Sequence, residues 1–194
     1  MKSIVVFCGS SEGTDKQFKE QATLMGETLA LKDIRVIYGG SKAGMMGAVA
    51  DGALSKGGTV VGVIPGFLKR KEIAHTELSE LIVVESMHQR KTIMHELCDG
   101  IIALPGGFGT FEELFEVLTW SQLGHHQKPM GLLNVNGYYE DLLEMIQKMV
   151  DKGFSNQVNQ QMLLVADTVD SLLEKMDNYQ APKVHKWIAN DDGL

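Results

Sequence analysis

The chain has 194 residues, 44% of them hydrophobic, enough to bury one sizeable core at the scale of a single domain. Its 18 Lys+Arg against 25 Asp+Glu give a net charge of −7, without the basic footprint of sequence-independent nucleic-acid binding, so a bound phosphate must be met locally by backbone N–H groups and a few cations. Cys8 and Cys98 lie too far apart in the sequence, in too large a chain, to suggest a disulfide framework, and no run approaches the roughly 20 apolar residues that cross a bilayer; a reducing, cytoplasmic setting is expected.

The first apolar run, Ile4 to Phe7, is too short for a signal-peptide core and reads as a strand leading into Cys8-Gly9-Ser10. Asp15 to Leu31 has helical length and period. A second strand, Ile34 to Tyr38, runs into Gly39-Gly40-Ser41-Lys42-Ala43-Gly44, and a helix over Met45 to Lys56 follows. Thr59 to Ile64 is a third strand, closed by Pro65-Gly66, and Leu81 to Val84 a fourth. Beyond them come a helix over Met87 to Cys98, a strand Ile101 to Leu104, a helix Thr110 to Leu123, a strand Met130 to Leu133, a helix Tyr138 to Lys152 and a strand Leu163 to Val165. No linker, charge block or repeat interrupts this alternation before a polar stretch after Met176, which predicts one domain over 1–180 and a tail over 181–194. Strands that are apolar throughout, alternating with helices, predict a parallel sheet covered on both faces: a Rossmann-like, doubly wound α/β fold.

Ligands of such sheets bind beyond the carboxyl ends of the strands, so the loops carrying Gly9 and Ser10, Gly39 and Gly40, and Pro105 to Thr110 become candidate ligand loops. In Leu104-Pro105-Gly106-Gly107-Phe108-Gly109-Thr110-Phe111-Glu112-Glu113, the glycines would let backbone approach an anion at a helix N-terminus. The same residues fit a tight turn with Thr110 as N-cap and Glu113 as its capping-box partner. The loop after Tyr38 matches no dinucleotide pattern G-x-G-x-x-G, and Gly58 stands where a Walker A loop needs lysine; its glycines serve either a ligand or close packing of a helix on the sheet.

Arg90 falls within the apolar face formed by Met87, Ile93, Met94, Leu97 and Cys98, so a buried carboxylate or a phosphate-bearing ligand must meet it; Lys91 and His88 flank it. Glu113 is expected in the first turn of its helix, off the face of Phe111, Leu114, Phe115 and Leu118, and kept ionised by the helix dipole. A carboxylate beside a sugar suits an oxocarbenium-like transition state. His95-Glu96 is followed by Leu97-Cys98 rather than completing a zinc-protease motif, and His125-His126 lacks companions, so no metal is expected; the methionines read as core and interface filler.

The run Met87-His88-Gln89-Arg90-Lys91, followed by Pro105-Gly106-Gly107-Phe108-Gly109-Thr110-Phe111-Glu112-Glu113, resembles the LOG ("lonely guy") family of cytokinin riboside 5′-monophosphate phosphoribohydrolases. The likeness extends from Val6-Phe7-Cys8-Gly9-Ser10-Ser11 to Asn136-Gly137-Tyr138-Tyr139, with Gly39-Gly40-Ser41 departing from the family's triple glycine. It implies hydrolysis of a nucleoside 5′-monophosphate, such as AMP or an N6-substituted AMP, to the free base and ribose 5-phosphate, with no cofactor. It further implies a catalytic pair at Arg90 and Glu113, substrate contacts at Glu72, Lys91, Gly107 to Glu113 and Thr119, and a homodimer with the active site near the subunit interface. The fold is also similar to that of molybdenum-cofactor carriers, which leaves a non-catalytic carrier and a nucleosidase of broad base preference as rivals. The label of lysine decarboxylase, given to some members, finds no pyridoxal-lysine context in this sequence.

Overall fold

Ile4, Val6, Val36, Tyr38, Ile102 and Leu104 belong to one buried cluster, and Val5, Phe7, Ile37, Ile101 and Ala103 to another. Successive strand residues thus enter different cores on opposite faces of one sheet, which is why these strands are apolar at every position rather than every second one. The structure, a computed structural model, describes residues 1–69 and 74–182. Its strands are β1 (Ser3–Phe7), β2 (Arg35–Tyr38), β3 (Val60–Pro65), β4 (Glu80–Val84), β5 (Gly100–Ala103), β6 (Met130–Leu133) and β7 (Leu163–Ala166). They form one seven-stranded sheet in the order β4-β3-β2-β1-β5-β6-β7, every pairing parallel. This is the doubly wound α/β domain that the alternation predicts.

Helices α1 (Lys16–Leu31), α2 (Gly44–Ser55) and α8 (Val169–Asp177) supply the first cluster, and α4 (Met87–Leu97) and α5 (Phe108–Gln122) the second, with α6 (Glu140–Asp151) packed against it through Leu142 and Leu143. Two four-residue helices, α3 (Gly66–Lys69) and α7 (Gln157–Gln160), complete the α-helices among the described residues. Helix α8 ends one residue into the stretch read as polar from the sequence, which begins after Met176. Its apolar Val169, Leu172, Leu173 and Met176 recur at helical spacing and are buried, and Thr168 caps it by accepting from the Ser171 amide at 3.4 Å. Of the tail expected over 181–194, the residues from 183 onward lie outside the described residues, as does Glu72.

The chain lays down β1 to β4 outward, returns through α4 to set β5 on the other side of β1, and continues to β7. The loop after β1 leads to α1 on one face and the loop after β5 leads to α5 on the other, so a crevice opens between them at the switch of direction. Tyr139 braces that edge: its buried hydroxyl donates to the Leu104 carbonyl at 2.6 Å, while its amide donates to Asn134 Oδ1 at 2.8 Å.

Candidate active site

Arg90 is placed by the start of α4. The Ser86 hydroxyl accepts from the Gln89 amide at 3.1 Å, and Gln89 Oε1 accepts from the Glu85 amide at 3.0 Å, which pins the first turn. One turn along, Arg90 is 8% exposed; its Nε donates to the Val63 carbonyl at 3.1 Å, and Nη1 lies 4.0 Å from Glu113 Oε1. The two partners left open by the sequence are thus narrowed: a buried carboxylate is present, at a separation long enough to leave the guanidinium room for a ligand.

Helix α5 begins earlier than the sequence suggests. Gly107 is its N-cap with no side-chain cap bond, and Thr110 is inside the first turn rather than capping it. Gly106 is needed for close approach: a Cβ there would collide with Thr110 Oγ1 and lie 2.8 Å from the Gly9 amide nitrogen. Gly107 and Gly109 border open space instead. The Phe111 amide bonds to Gly107 O at 3.2 Å, so the N–H groups of Phe108, Gly109 and Thr110 head the helix without such a partner, at the positive end of its dipole.

The earlier start puts Glu113 in the second turn, so the capping box does not form, and the buried stripe of α5 runs through Thr110, Glu113, Leu114, Val117 and Ser121 rather than along the face of Phe111, Phe115 and Leu118. Two expectations fall with it: Glu113 is not off the buried face, and the dipole does not set its charge. Burial pushes its carboxyl up to about 7, Arg90 holds it back, and Glu112 raises it further. Glu113 is therefore poised between its acid and its anion near neutral pH.

These residues line one cavity of ≈240 Å³ at the crevice, with Cys8, Gly9 and Ser10 from the β1 loop, Gly39 and Met46 from the β2 side, Met87, Arg90 and Met94 from α4, and Gly107 to Thr110, Glu112 and Glu113 from α5. The cavity joins a cation, a buried carboxylate and a helix N-terminus. Lys91 does not widen it: the ammonium bonds Glu112 at 2.5 Å and Glu116 at 3.0 Å, and among the described residues no lysine lines the cavity. Gly40 and Phe111 also stand outside its lining, Phe111 packing edge-on against Tyr139. Gly106 lines a neighbouring cavity of ≈290 Å³ with Phe18 and Tyr138. Thr119 donates to the Phe115 carbonyl at 2.7 Å and borders a separate apolar cavity between α5, α6 and α7. His126 is buried with Nε2 2.9 Å from the Val117 carbonyl.

The family described as "Possible lysine decarboxylase" matches residues 46–176, a span that includes both Arg90 and Glu113. Cytokinin riboside 5′-monophosphate phosphoribohydrolase LOG4 of Arabidopsis thaliana is 45% identical over 176 residues, 91% of this chain and 82% of the relative. The cytokinin riboside 5′-monophosphate phosphoribohydrolase of Rhodococcoides fascians is 47% identical over 173 residues, 89% and 87% of the two chains. The chain belongs to the LOG family. At the level of fold alone, it is similar to the molybdenum cofactor carrier protein of Chlamydomonas reinhardtii, with TM-score 0.69 and 21% identity over 91% of this chain and 98% of that one. The molybdenum cofactor binding protein of Rippkaea orientalis is comparable, at TM-score 0.68 and 22% identity over 91% and 96%.

In the LOG motif, then, Gly107 to Thr110 and Glu113 face one cavity, whereas Gly106 is a packing glycine. The departure at Ser41 is accommodated because that residue is not among those with positive φ, and its buried hydroxyl accepts from the Ala43 amide at 3.1 Å. Sequence reasoning missed Cys8 and Met46 in the lining. Cys8 carried a redox signal only, and burial raises its thiol pKa, which leaves it an apolar wall rather than a nucleophile.

Proposed function

We propose that this chain hydrolyses the N-glycosidic bond of nucleoside 5′-monophosphates, AMP or an N6-substituted AMP, releasing the free base and ribose 5-phosphate. The observation that carries this reading is the Arg90–Glu113 pair, buried at 4.0 Å in a cavity that also receives the N-terminus of α5. The 5′-phosphate sits against the N–H groups of Phe108, Gly109 and Thr110, with Arg90 as the nearby cation. As the bond to the base breaks, positive charge grows on the ribose, and the Glu113 carboxylate stabilises it or takes a proton from the attacking water, whose oxygen ends on C1 of ribose 5-phosphate. The base leaves with a proton. A carrier of a phosphorylated ligand would have no use for a carboxylate buried beside the arginine.

Incubation with AMP and assay for free adenine tests the reading, and a panel of AMP, GMP, CMP and N6-isopentenyl AMP tests base preference. Adenosine is expected to be turned over far less efficiently than AMP, because a helix N-terminus and a guanidinium reward a dianion. Equal kcat/KM for the two would remove the phosphate site.

The same reading places the protein in the cytoplasm as a homodimer. Phe108 and Phe154 are 97% and 86% exposed, an arrangement suited to cover by a second copy. Thr119, nine residues along α5 from Thr110, stands about 13 Å from the phosphate end of that helix, so a substrate contact there has to come from the partner copy. Light scattering should give twice the 21.3 kDa chain mass; a single-chain mass at micromolar concentration would contradict the dimer.

A further inference from the structure

The glycine loop after β2 is built around Arg90. Of Gly39, Gly40 and Ser41, only Gly39 borders the cavity. Gly40 adopts φ +79° with its α-carbon facing Leu81 and Ile64, and its carbonyl accepts from the His75 amide at 3.0 Å. His75 is buried, with Nε2 2.9 Å from Asp51 Oδ1 on α2 and Nδ1 accepting from the Glu77 amide at 3.2 Å. Ser41 is fully buried and bridged to Ala74. Two of the three residues are thus committed to holding the loop.

Gly39 has a different neighbour. A Cβ at this position would collide with Arg90 Nη2 and lie 3.4 Å from Arg90 Cζ. It would also lie 2.8 Å from Met46 Sδ, but a thioether on three rotatable bonds can swing aside. The guanidinium has less freedom, since Nε is tied to the Val63 carbonyl and Nη1 sits between Met87 Sδ at 3.8 Å and Glu113 at 4.0 Å. We infer that Gly39 is the seat of the Arg90 guanidinium, a positioning residue whose missing side chain sets where that cation stands relative to Glu113. Its effect on catalysis rests on the reading of Arg90 and Glu113 as the reacting pair; its effect on packing does not.

The test is Gly39→Ala, made in the wild-type chain and in an Arg90→Lys background, with melting temperature and AMP turnover read for all four proteins. Lysine ends before the Nη2 position and leaves room for the methyl. In the wild-type background, Gly39→Ala should lower the melting temperature by about 5 °C and turnover by about 10²-fold, because an overpacked guanidinium is displaced from its geometry. In the Arg90→Lys background, the same change should shift melting by less than about 1 °C and turnover by less than about 3-fold, the signature of two residues acting through one contact. Equal losses in both backgrounds, or wild-type behaviour of Gly39→Ala alone, would overturn the inference. Should Gly39→Ala fail to fold, folding of the double variant supports the seat and failure of both refutes it. If the wild-type protein releases no base from any monophosphate, the proposed function fails while the melting comparison still decides the role of Gly39.

Discussion

Glu113→Gln is expected to lower AMP turnover by about 10²- to 10⁴-fold while leaving AMP affinity within a few-fold of wild type. The amide keeps the size of the buried side chain but carries no charge to meet a developing oxocarbenium ion and no lone base for water. The pH profile distinguishes the two states of the acid. With the Glu113 pKa pushed up to about 7, a requirement for the anion makes kcat/KM rise with pH and level off above neutrality, whereas a requirement for the protonated acid makes it fall. The rising limb is expected, and it should vanish from the residual activity of the variant.

Stability supplies an independent readout of the same residue. The folded-state pKa lies above the usual value of 4.5, so between those two values the folded protein holds a proton that the unfolded chain has released. Stability therefore falls as pH rises through this window, and ionising the buried carboxyl costs about 3 kcal/mol once pH is above the folded pKa. Glutamine has nothing to ionise. Glu113→Gln should melt with the wild type at pH 5 and later than it at pH 8. Earlier melting at both, with wild-type turnover, would make Glu113 a purely structural residue and end the catalytic assignment.

The sheet was legible because its signal is redundant: β1, β3, β5 and β6 are buried at every position, so runs such as Ile4–Phe7 and Ile101–Leu104 stand out against their loops. Arg90 was legible for a related reason, since a guanidinium among Met87, Ile93 and Met94 demands a partner wherever the helix ends. The start of α5 was harder to read. Thr110 and Glu113 fit a capping box, yet the helix continues backward through Gly109 to Phe108, which puts both residues inside it, and its buried stripe runs through Thr110, Glu113, Leu114, Val117 and Ser121. The capping signal that does operate is Ser86 to Gln89, which fixes the turn that carries Arg90. The role of Gly39 was illegible because glycine needed for a ligand and glycine needed for a neighbouring side chain look alike until the neighbour's position is known. Composition likewise gave no reason to set Lys91 against Glu112 and Glu116 rather than a substrate, since that pairing depends on how α4 and α5 lie side by side.

Arg90→Ala should lower kcat/KM for AMP by about 10²- to 10³-fold and, unlike Glu113→Gln, weaken binding of AMP and of ribose 5-phosphate as well. The cation stands in the cavity proposed for the phosphate and also 4.0 Å from the Glu113 carboxyl, so its loss is expected to act twice. The first effect is on the ground state, because a bound dianion loses a charged donor. The second is on Glu113, whose pKa Arg90 now holds down against burial and the neighbouring Glu112. Without Arg90, that pKa should rise above its present value of about 7, and the rising limb of the pH profile should move to higher pH by the same amount. Raising the pH would then recover part of the lost turnover but none of the lost affinity. Arg90→Lys should fall between the two proteins, since it keeps a charge but cannot reproduce the bond from Nε to the Val63 carbonyl while reaching toward Glu113. Calorimetric titration with ribose 5-phosphate and AMP turnover from pH 5 to pH 9 separate the two effects. Unchanged affinity would show that Arg90 does not meet the phosphate, and an unmoved limb would show that it does not govern the charge of Glu113.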